Sequence, residues 1–227
     1  MLLLKNLNDT LLKGLHDGIL KSLLGIVCAF CIVLGASAEE AQWKTSSLDK
    51  GTISVQYRIS ERITDGGIKV PLIEDITTTV ATVSLQSCIA LMMDVRRHKD
   101  FMGDYSSEVI KVISDNAWTV YYYTKNPWPI ADSDCVAVMS FSEDATQGTA
   151  IFKLTAAPDM MEDKHVGRMS FYNIEYSFKD LKDGTVKITV TGRTSPPVEA
   201  PLWLIKSAFP GIPADGIRKF VKVAKTM

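Results

Sequence analysis

The chain is poor in the residues that most often carry chemistry, with four cysteines and three histidines in 227 residues. No spacing of His, Cys and carboxylates resembles a metal site. A phosphate-binding glycine loop, a dinucleotide fingerprint and a nucleophile elbow are also missing from the sequence. The sequence therefore predicts no metal and no cofactor, and it argues against a catalytic site.

An excess of charge of one sign is also lacking. The formal net charge is -1, which provides no broad positive surface for nucleic acid. We therefore expect no nucleic-acid partner. The length suits one domain plus a targeting segment, and two small domains are the upper limit.

Long apolar runs are scarce, and the most prominent one lies near the N-terminus. A lysine-containing leader precedes an uncharged run over 23–34, and the small residues Ala36, Ser37 and Ala38 follow. This run of about 12 residues is short of the roughly 20 needed to cross a bilayer as a helix. We predict a cleaved secretory signal over 1–38 and a periplasmic or secreted protein. A retained membrane anchor is the alternative.

Two cysteines, Cys88 and Cys135, remain after such cleavage. An oxidising compartment would permit a disulfide between them. We favour two buried free thiols, because a chain of this length builds a core without a covalent link.

The order of periodic segments predicts the fold. Residues 39–50 are polar and are expected to form a flexible leader before a domain over 51–227. Strands are predicted over 52–59 and 74–83, and a helix follows from an N-cap at Ser84 to Gly103. The next segments alternate as strands over 105–114, 118–124, 134–141, 149–156, 168–178 and 185–193.

A helix is predicted to begin at Pro201 and to be interrupted over 210–213 by two prolines and a glycine. Ile217, Phe220 and Ala224 share one face of its second half. The expected fold is therefore α+β, a curved antiparallel sheet of about eight strands wrapping a long C-terminal helix.

His98 lies in a cluster of basic residues and His165 lies in a polar loop. Both are predicted to be surface side chains.

The aromatic and aliphatic residues of the strands and the last helix allow two interpretations, a filled core or a hollow apolar cavity. Composition alone favours the filled core, because pockets and cores use the same residue types.

The segment over 126–134, Asn-Pro-Trp-Pro-Ile-Ala-Asp-Ser-Asp, follows an aromatic strand. It resembles a motif of the steroidogenic-acute-regulatory-related lipid-transfer (START) domain family. The segment over 200–205 is similar to the family's opening of the last helix, and Arg168 matches an arginine common there. The likeness covers about residues 52–225. Ser133 stands where the family usually has arginine, and 195–201 departs from its glycine-proline segment.

The resemblance implies a helix-grip fold of the Bet v 1-like SRPBCC superfamily, with an apolar tunnel between sheet and last helix. It implies binding of one sterol, phospholipid or fatty-acyl lipid without chemical change, for transfer or carriage. Transient contact with a membrane surface is also implied. The predicted ligand-binding residues are Tyr122, Met139, Phe141, Phe152, Arg168, Phe171, Leu202, Trp203, Ile205, Phe209 and Phe220.

Trp203 and Phe209, near the helix interruption, are predicted to form a wall that opens. Met160 and Met161 are predicted either to form the other lip or, equally, to pin their loop to the core. One alternative is an enzyme of the cyclase or hydratase type, with Tyr122, His98 or Arg168 as acid or base. Another is a partner-binding module with a filled core.

Overall fold

The computed structural model describes residues 41–103, 105–126, 131–196 and 202–227. The signal predicted over 1–38 lies outside the described residues. So do 127–130 of the proline-tryptophan segment and 197–201, where the last helix was predicted to begin.

The first described element is strand β1 (Lys44–Leu48), which pairs antiparallel with β2 (Ile53–Ile63). A short 3-10 turn at Asp49–Gly51 joins them. The prediction of a flexible leader over 39–50 is therefore wrong for this segment. Its side chains are mostly polar and exposed, and the strand depends on backbone pairing with β2 rather than on an apolar face.

The first helical region follows β3 (Lys69–Ala81), which pairs with β2 through residues 69–79. Helix α1 (Leu85–Met93) begins at Ser84, whose hydroxyl accepts from the Ser87 amide at 2.9 Å, as the N-cap prediction requires. A 3-10 turn (Val95–Arg97) and α2 (Lys99–Met102) follow. The single helix predicted up to Gly103 is thus interrupted after Met93.

The remaining strands form one sheet with β1, β2 and β3. Apart from β8, their order is β1-β2-β3-β10-β9-β7-β6-β5-β4, with antiparallel neighbours throughout. The predicted curved antiparallel sheet is confirmed, with ten strands in the described part of the chain rather than about eight. Their bounds are β4 (Ser106–Ser114), β5 (Ala117–Thr124), β6 (Ser133–Asp144), β7 (Thr149–Ala156), β8 (Gly167–Arg168), β9 (Tyr172–Asp180) and β10 (Val186–Thr194).

The strand predicted over 168–178 is two strands in the structure. Its first residues form β8, which pairs parallel with β6, and the chain then turns into β9. The predicted strand is interrupted because its two parts pair with different strands. β8 pairs with the start of β6, whereas β9 lies between β7 and β10.

The C-terminal segment is also divided, as the prolines predicted. Helix α3 (Leu202–Ala208) ends before Pro210, and α4 (Gly211–Ala224) follows. Ile217, Phe220 and Ala224 are at most 2% exposed, which confirms the predicted apolar face of α4.

The hydrophobic core lies between the sheet and the helices α1, α2 and α4. Cys88 and Cys135 are both buried in it and are not joined by a disulfide, as predicted. Burial raises the pKa of the Cys88 thiol to about 12. We call the sheet face that meets these helices the inner face and the opposite one the outer face.

Candidate ligand-binding site

Strand alternation along β9 defines what lines the inner face. Tyr172, Ile174, Tyr176 and Phe178 alternate along the strand, and all four pack on the core. Tyr176 and Phe178 are buried, whereas Tyr172 and Ile174 are only partly buried. The inner face is therefore closed at one end of the strand and reached by solvent at the other.

The closed part, which we call the α4 end, is filled by aromatic rings. The Phe220 ring of α4 stacks on Phe178 at 5.4 Å and meets the edge of the Phe101 ring at 5.0 Å. Phe152 approaches Phe178 at 6.4 Å. All four phenylalanines are at most 2% exposed. This end has the close packing of an ordinary protein core.

The part reached by solvent, which we call the α3 end, is formed by Tyr57, Tyr172, Ile174 and Val190. Each is partly buried and packs against the core. The ring of Phe209, between α3 and α4, lies 5.5 Å from the ring of Tyr57. Apolar inner-face side chains that water still touches are what an accessible apolar site requires.

Four predicted binding residues lie deep in the structure. Tyr122, Met139, Phe152 and Phe220 are at most 2% exposed. Phe141 is partly buried and its ring lies 4.6 Å from that of Phe152. These side chains support the core, and Phe152 and Phe220 belong to the α4 end.

Helix α3 carries three of the predicted residues, Phe209 follows directly after it, and the four side chains differ in burial. Leu202, Ile205 and Phe209 are partly buried. Trp203 is 70% exposed, so the prediction that it forms part of the cavity wall is wrong for its side chain. Helical geometry explains the difference, because Trp203 is about 100° around the helix from Leu202.

Phe171 lies on the wrong side of the sheet for its predicted role. Its ring is held between the guanidinium groups of Arg62, at 4.3 Å, and Arg193, at 5.4 Å. Arg193 points to the outer face, where it pairs with Glu74. The prediction is therefore wrong because it selected Phe171 by residue type. Alternation groups Phe171 with Asn173 and Glu175, and that signal was present in the sequence.

Arg168 forms a clamp within the protein. It makes a bidentate ion pair with Asp134, at 2.9 Å and 2.7 Å. It also donates to the backbone carbonyls of Pro158, Met161 and Glu162 at 2.7–3.0 Å. These bonds use all five guanidinium N–H groups, and the hydrogen bond with Asp134 raises the pKa of Arg168. Its predicted place among the ligand-binding residues is wrong, because no donor is left for a ligand.

Met160 and Met161, the predicted lip, lie in the loop that Arg168 holds. The Met160 side chain is 42% exposed, and its sulfur accepts from the Thr119 hydroxyl at 3.8 Å. Met161 is partly buried. The structure thus holds this loop against the β5–β6 side of the sheet.

His98 is fully buried, so the prediction of a surface side chain is wrong. The turn after Met93 rotates it inward, away from its basic neighbours. Its Nε2 donates to the Met92 carbonyl at 2.8 Å, so Nδ1 accepts from the Tyr122 hydroxyl at 2.8 Å. Burial lowers the pKa of His98 to about 4, which keeps it neutral. His165 is exposed, as predicted.

Asp75 is an inner-face residue that sequence reasoning missed. It lies in β3 opposite Tyr57 of β2, at the α3 end. Burial raises the pKa of its carboxyl to about 6, and a hydrogen bond from Thr77 opposes that rise. The available signal was its alternation with Ile73, Thr77 and Thr79 in a strand of β-branched residues.

Among the described residues, no group of three or more His, Cys, Asp or Glu side chains is arranged to hold a metal ion. In the same residues no helix has the length and apolar character needed to span a membrane.

Comparison with solved structures identifies the fold from the arrangement of sheet and helices. A STAR-related lipid transfer protein from Xanthomonas axonopodis superposes with a TM-score of 0.67 at 19% identity, over 81% of this chain and 98% of that one. The chain has the START fold.

Two human proteins show the same START architecture. Human StAR-related lipid transfer protein 5 matches with a TM-score of 0.62 at 15% identity, over 92% of this chain and 98% of that one. Human STARD10 matches with a TM-score of 0.64 at 14% identity, over 80% and 72%. No protein-family model and no curated protein sequence matches the chain.

Proposed function

We propose that this START-fold protein binds one lipid at the α3 end of the inner face and carries it without chemical change. The observation that carries the proposal is the change in burial along single strands. Phe178 is fully buried, whereas Ile174, on the same face of β9, is partly exposed. The similar structures described above are those of lipid transfer proteins, which supports the same class of ligand.

Apolar burial alone supplies enough free energy for such binding. Each buried CH2 group contributes about 0.8 kcal/mol, so an acyl chain gains on the order of 10 kcal/mol before ordering costs. Reversible binding needs no strong polar contact with every part of the ligand. The α3 end offers aromatic and aliphatic side chains for this purpose.

Non-catalytic carriage is supported by the state of the earlier acid and base candidates. Both ring nitrogens of His98 are occupied, one of them by Tyr122, and Arg168 spends every donor on the protein. None of these side chains is available to exchange a proton with a ligand bound at the α3 end. Their positions favour structural roles over acid-base chemistry.

Asp75 favours a second candidate, an enzyme that acts on an apolar substrate. A carboxyl with a pKa of about 6 is suited to general acid or base catalysis. The test is to incubate the protein with lipids extracted from its host and to compare ligand masses before and after. Carriage predicts unchanged masses, and a new mass that disappears in Asp75→Asn favours the enzyme.

Two neighbouring residues of β10 test the site itself. Val190 lies on the inner face and Thr191 on the outer face. Native mass spectrometry of the mature protein, purified from its host, should show a bound lipid. Val190→Trp should lose that lipid because the indole fills the site, whereas Thr191→Trp should keep it.

Two results would contradict the proposed binding: a ligand-free wild-type spectrum that stays unchanged after lipids are added, or equal occupancy in the two tryptophan variants. Melting curves of both variants establish that each is folded before occupancy is compared.

Carriage outside the cytoplasm is a further part of the proposal and rests on the sequence of residues 1–38 alone. The intact mass of the protein from its host should correspond to a chain that begins at Glu39. A mass that includes the first 38 residues would favour the retained anchor.

A further inference from the structure

Asp75 lies in β3, an interior strand of the sheet, at the α3 end. In the strand register it lies between Tyr57 of β2 and Gly192 of β10. Its side chain shares the inner face with Thr77, which is buried against the core. A carboxyl group is therefore set among apolar side chains, in the region where we place the ligand.

The backbone makes room for this carboxyl group. A Cβ atom at Gly192 would lie 2.6 Å from Oδ1 of Asp75 and 3.3 Å from Cδ1 of Ile174. Only glycine allows the carboxylate to lie across β10 at this point. Gly192 thus fixes the position of Asp75 over the sheet and beside the apolar side chain of Ile174.

Within the described residues, Asp75 has one hydrogen-bond donor, the Thr77 hydroxyl at 3.3 Å from Oδ2. The same part of the chain provides no Lys or Arg in an ion pair with it. The preceding residue, Glu74, makes a useful contrast on the outer face. It pairs with Arg58 at 2.6 Å and with Arg193 at 3.2 Å.

An under-satisfied carboxylate in apolar surroundings costs free energy. Burial raises the pKa of Asp75 to about 6, which reflects that cost. A guest that donates a hydrogen bond to Oδ1 would remove part of it. A guest that ends in a second carboxylate would increase it through like-charge repulsion.

We propose that Asp75 anchors the polar end of the bound lipid by accepting a hydrogen bond from a hydroxyl or amine group on it. This inference rests on the proposed function and narrows its ligand class. The preferred lipids carry a hydrogen-bond donor at one end, and free fatty acids are disfavoured. The apolar remainder of the guest lies against Ile174, Val190 and Tyr57.

The experiment compares three guests that share one chain and differ at the end: dodecanol, dodecylamine and dodecanoate. Each displaces the neutral fluorophore N-phenyl-1-naphthylamine from the protein at about pH 8, where Asp75 is ionised. In the wild type, the two donor-ended guests should bind about tenfold more tightly than dodecanoate, as expected for a hydrogen bond to a charged group. Comparison of dodecanol with dodecylamine separates hydroxyl from amine recognition.

Asp75→Asn should bring the three affinities to within about twofold of one another, because the amide has no charge and both donates and accepts. Gly192→Ala should act in the same direction by displacing the carboxylate. Asp115→Asn, in the exposed β4–β5 turn, is the matched control and should keep the wild-type ratios.

The outcomes separate the two proposals. If the chains bind but Asp75→Asn keeps the wild-type ratios, the anchor is overturned and lipid binding stands. If the wild type binds neither the fluorophore nor any dodecyl guest, the proposed function itself fails. Preference for dodecanoate in the wild type also overturns the anchor.

Discussion

The α4 end and the α3 end of the inner face use the same strands and differ in how they are covered. At the α4 end, four phenylalanine rings close the space, and Phe220 is fully buried. At the α3 end, Phe209 meets Tyr57 while the neighbouring apolar residues remain partly exposed. One continuous sheet therefore provides a core at one end and an accessible apolar surface at the other.

The largest expected difference between the two ends is in stability. Phe220→Ala should lower the free energy of unfolding by about 4 kcal/mol, because it leaves a cavity in a closed core. Phe209→Ala, at the α3 end, should cost roughly 1 kcal/mol because its site is partly open already. Urea unfolding measures both, and equal costs would contradict the distinction between the ends.

Acid should weaken the α4 end through His98, whose ring lies 5.4 Å from that of Phe101. Between about pH 6.5 and about pH 4 the unfolded chain binds a proton at this residue that the folded protein excludes. Stability from this source is present at neutral pH and falls by about 3 kcal/mol as pH drops through that window.

The measurement is the free energy of unfolding in urea across that pH window. His98→Gln should remove this contribution to the pH dependence. His165→Gln is the control, because His165 is exposed. A wild-type slope that survives in His98→Gln would locate the acid sensitivity elsewhere.

The Asp75 carboxyl at the α3 end should change stability with pH in the opposite direction. The folded protein holds a proton on Asp75 up to about pH 6, above the ordinary aspartate value of 3.8. Its ionised form therefore destabilises the protein at higher pH. Asp75→Asn should add about 3 kcal/mol to the free energy of unfolding near pH 8 and nothing below about pH 3.5.

Chemical denaturation at the two pH values measures this gain, with Asp115→Asn as the exposed control. A loss of stability at the higher pH would mean that the ionised carboxylate has a stabilising partner in the folded protein.

The smallest expected effect is on the reactivity of the Cys88 thiol, which lies in the core near the α4 end. Burial raises the pKa of its thiol to about 12, so the folded protein should not react with Ellman's reagent near pH 8. Addition of dithiothreitol should leave the melting temperature unchanged because no disulfide joins Cys88 to Cys135. Rapid labelling of Cys88 without denaturant would show that the α4 end opens readily.

Sequence periodicity predicted most of the fold because most elements carry their own signals. The Ser84 cap, β7 and the buried face of α4 all follow from local patterns. Strand β1 was missed because its residues have no apolar face, and only pairing with β2 makes them a strand. Local propensity cannot report a partner that lies elsewhere in the chain.

The candidate site was harder to predict because it depends on direction as well as residue type. Phe171 and Trp203 have suitable side chains that point away from the inner face. His98 was assigned to the surface by its neighbours, and a turn after α1 reverses that. Asp75 was overlooked because its role follows from the opposite glycine, which only the register of β3 and β10 places there.

If the protein carries a lipid as we propose, the division of the C-terminal segment bears on how that lipid leaves. Pro210 has no amide hydrogen to donate, so the hydrogen-bond ladder of α4 does not continue into α3. We therefore expect α3 to swing without unwinding α4, so that release of the proposed lipid would be a hinge motion rather than local unfolding. Amide protons over 203–208 should accordingly exchange with deuterium well before those over 217–224.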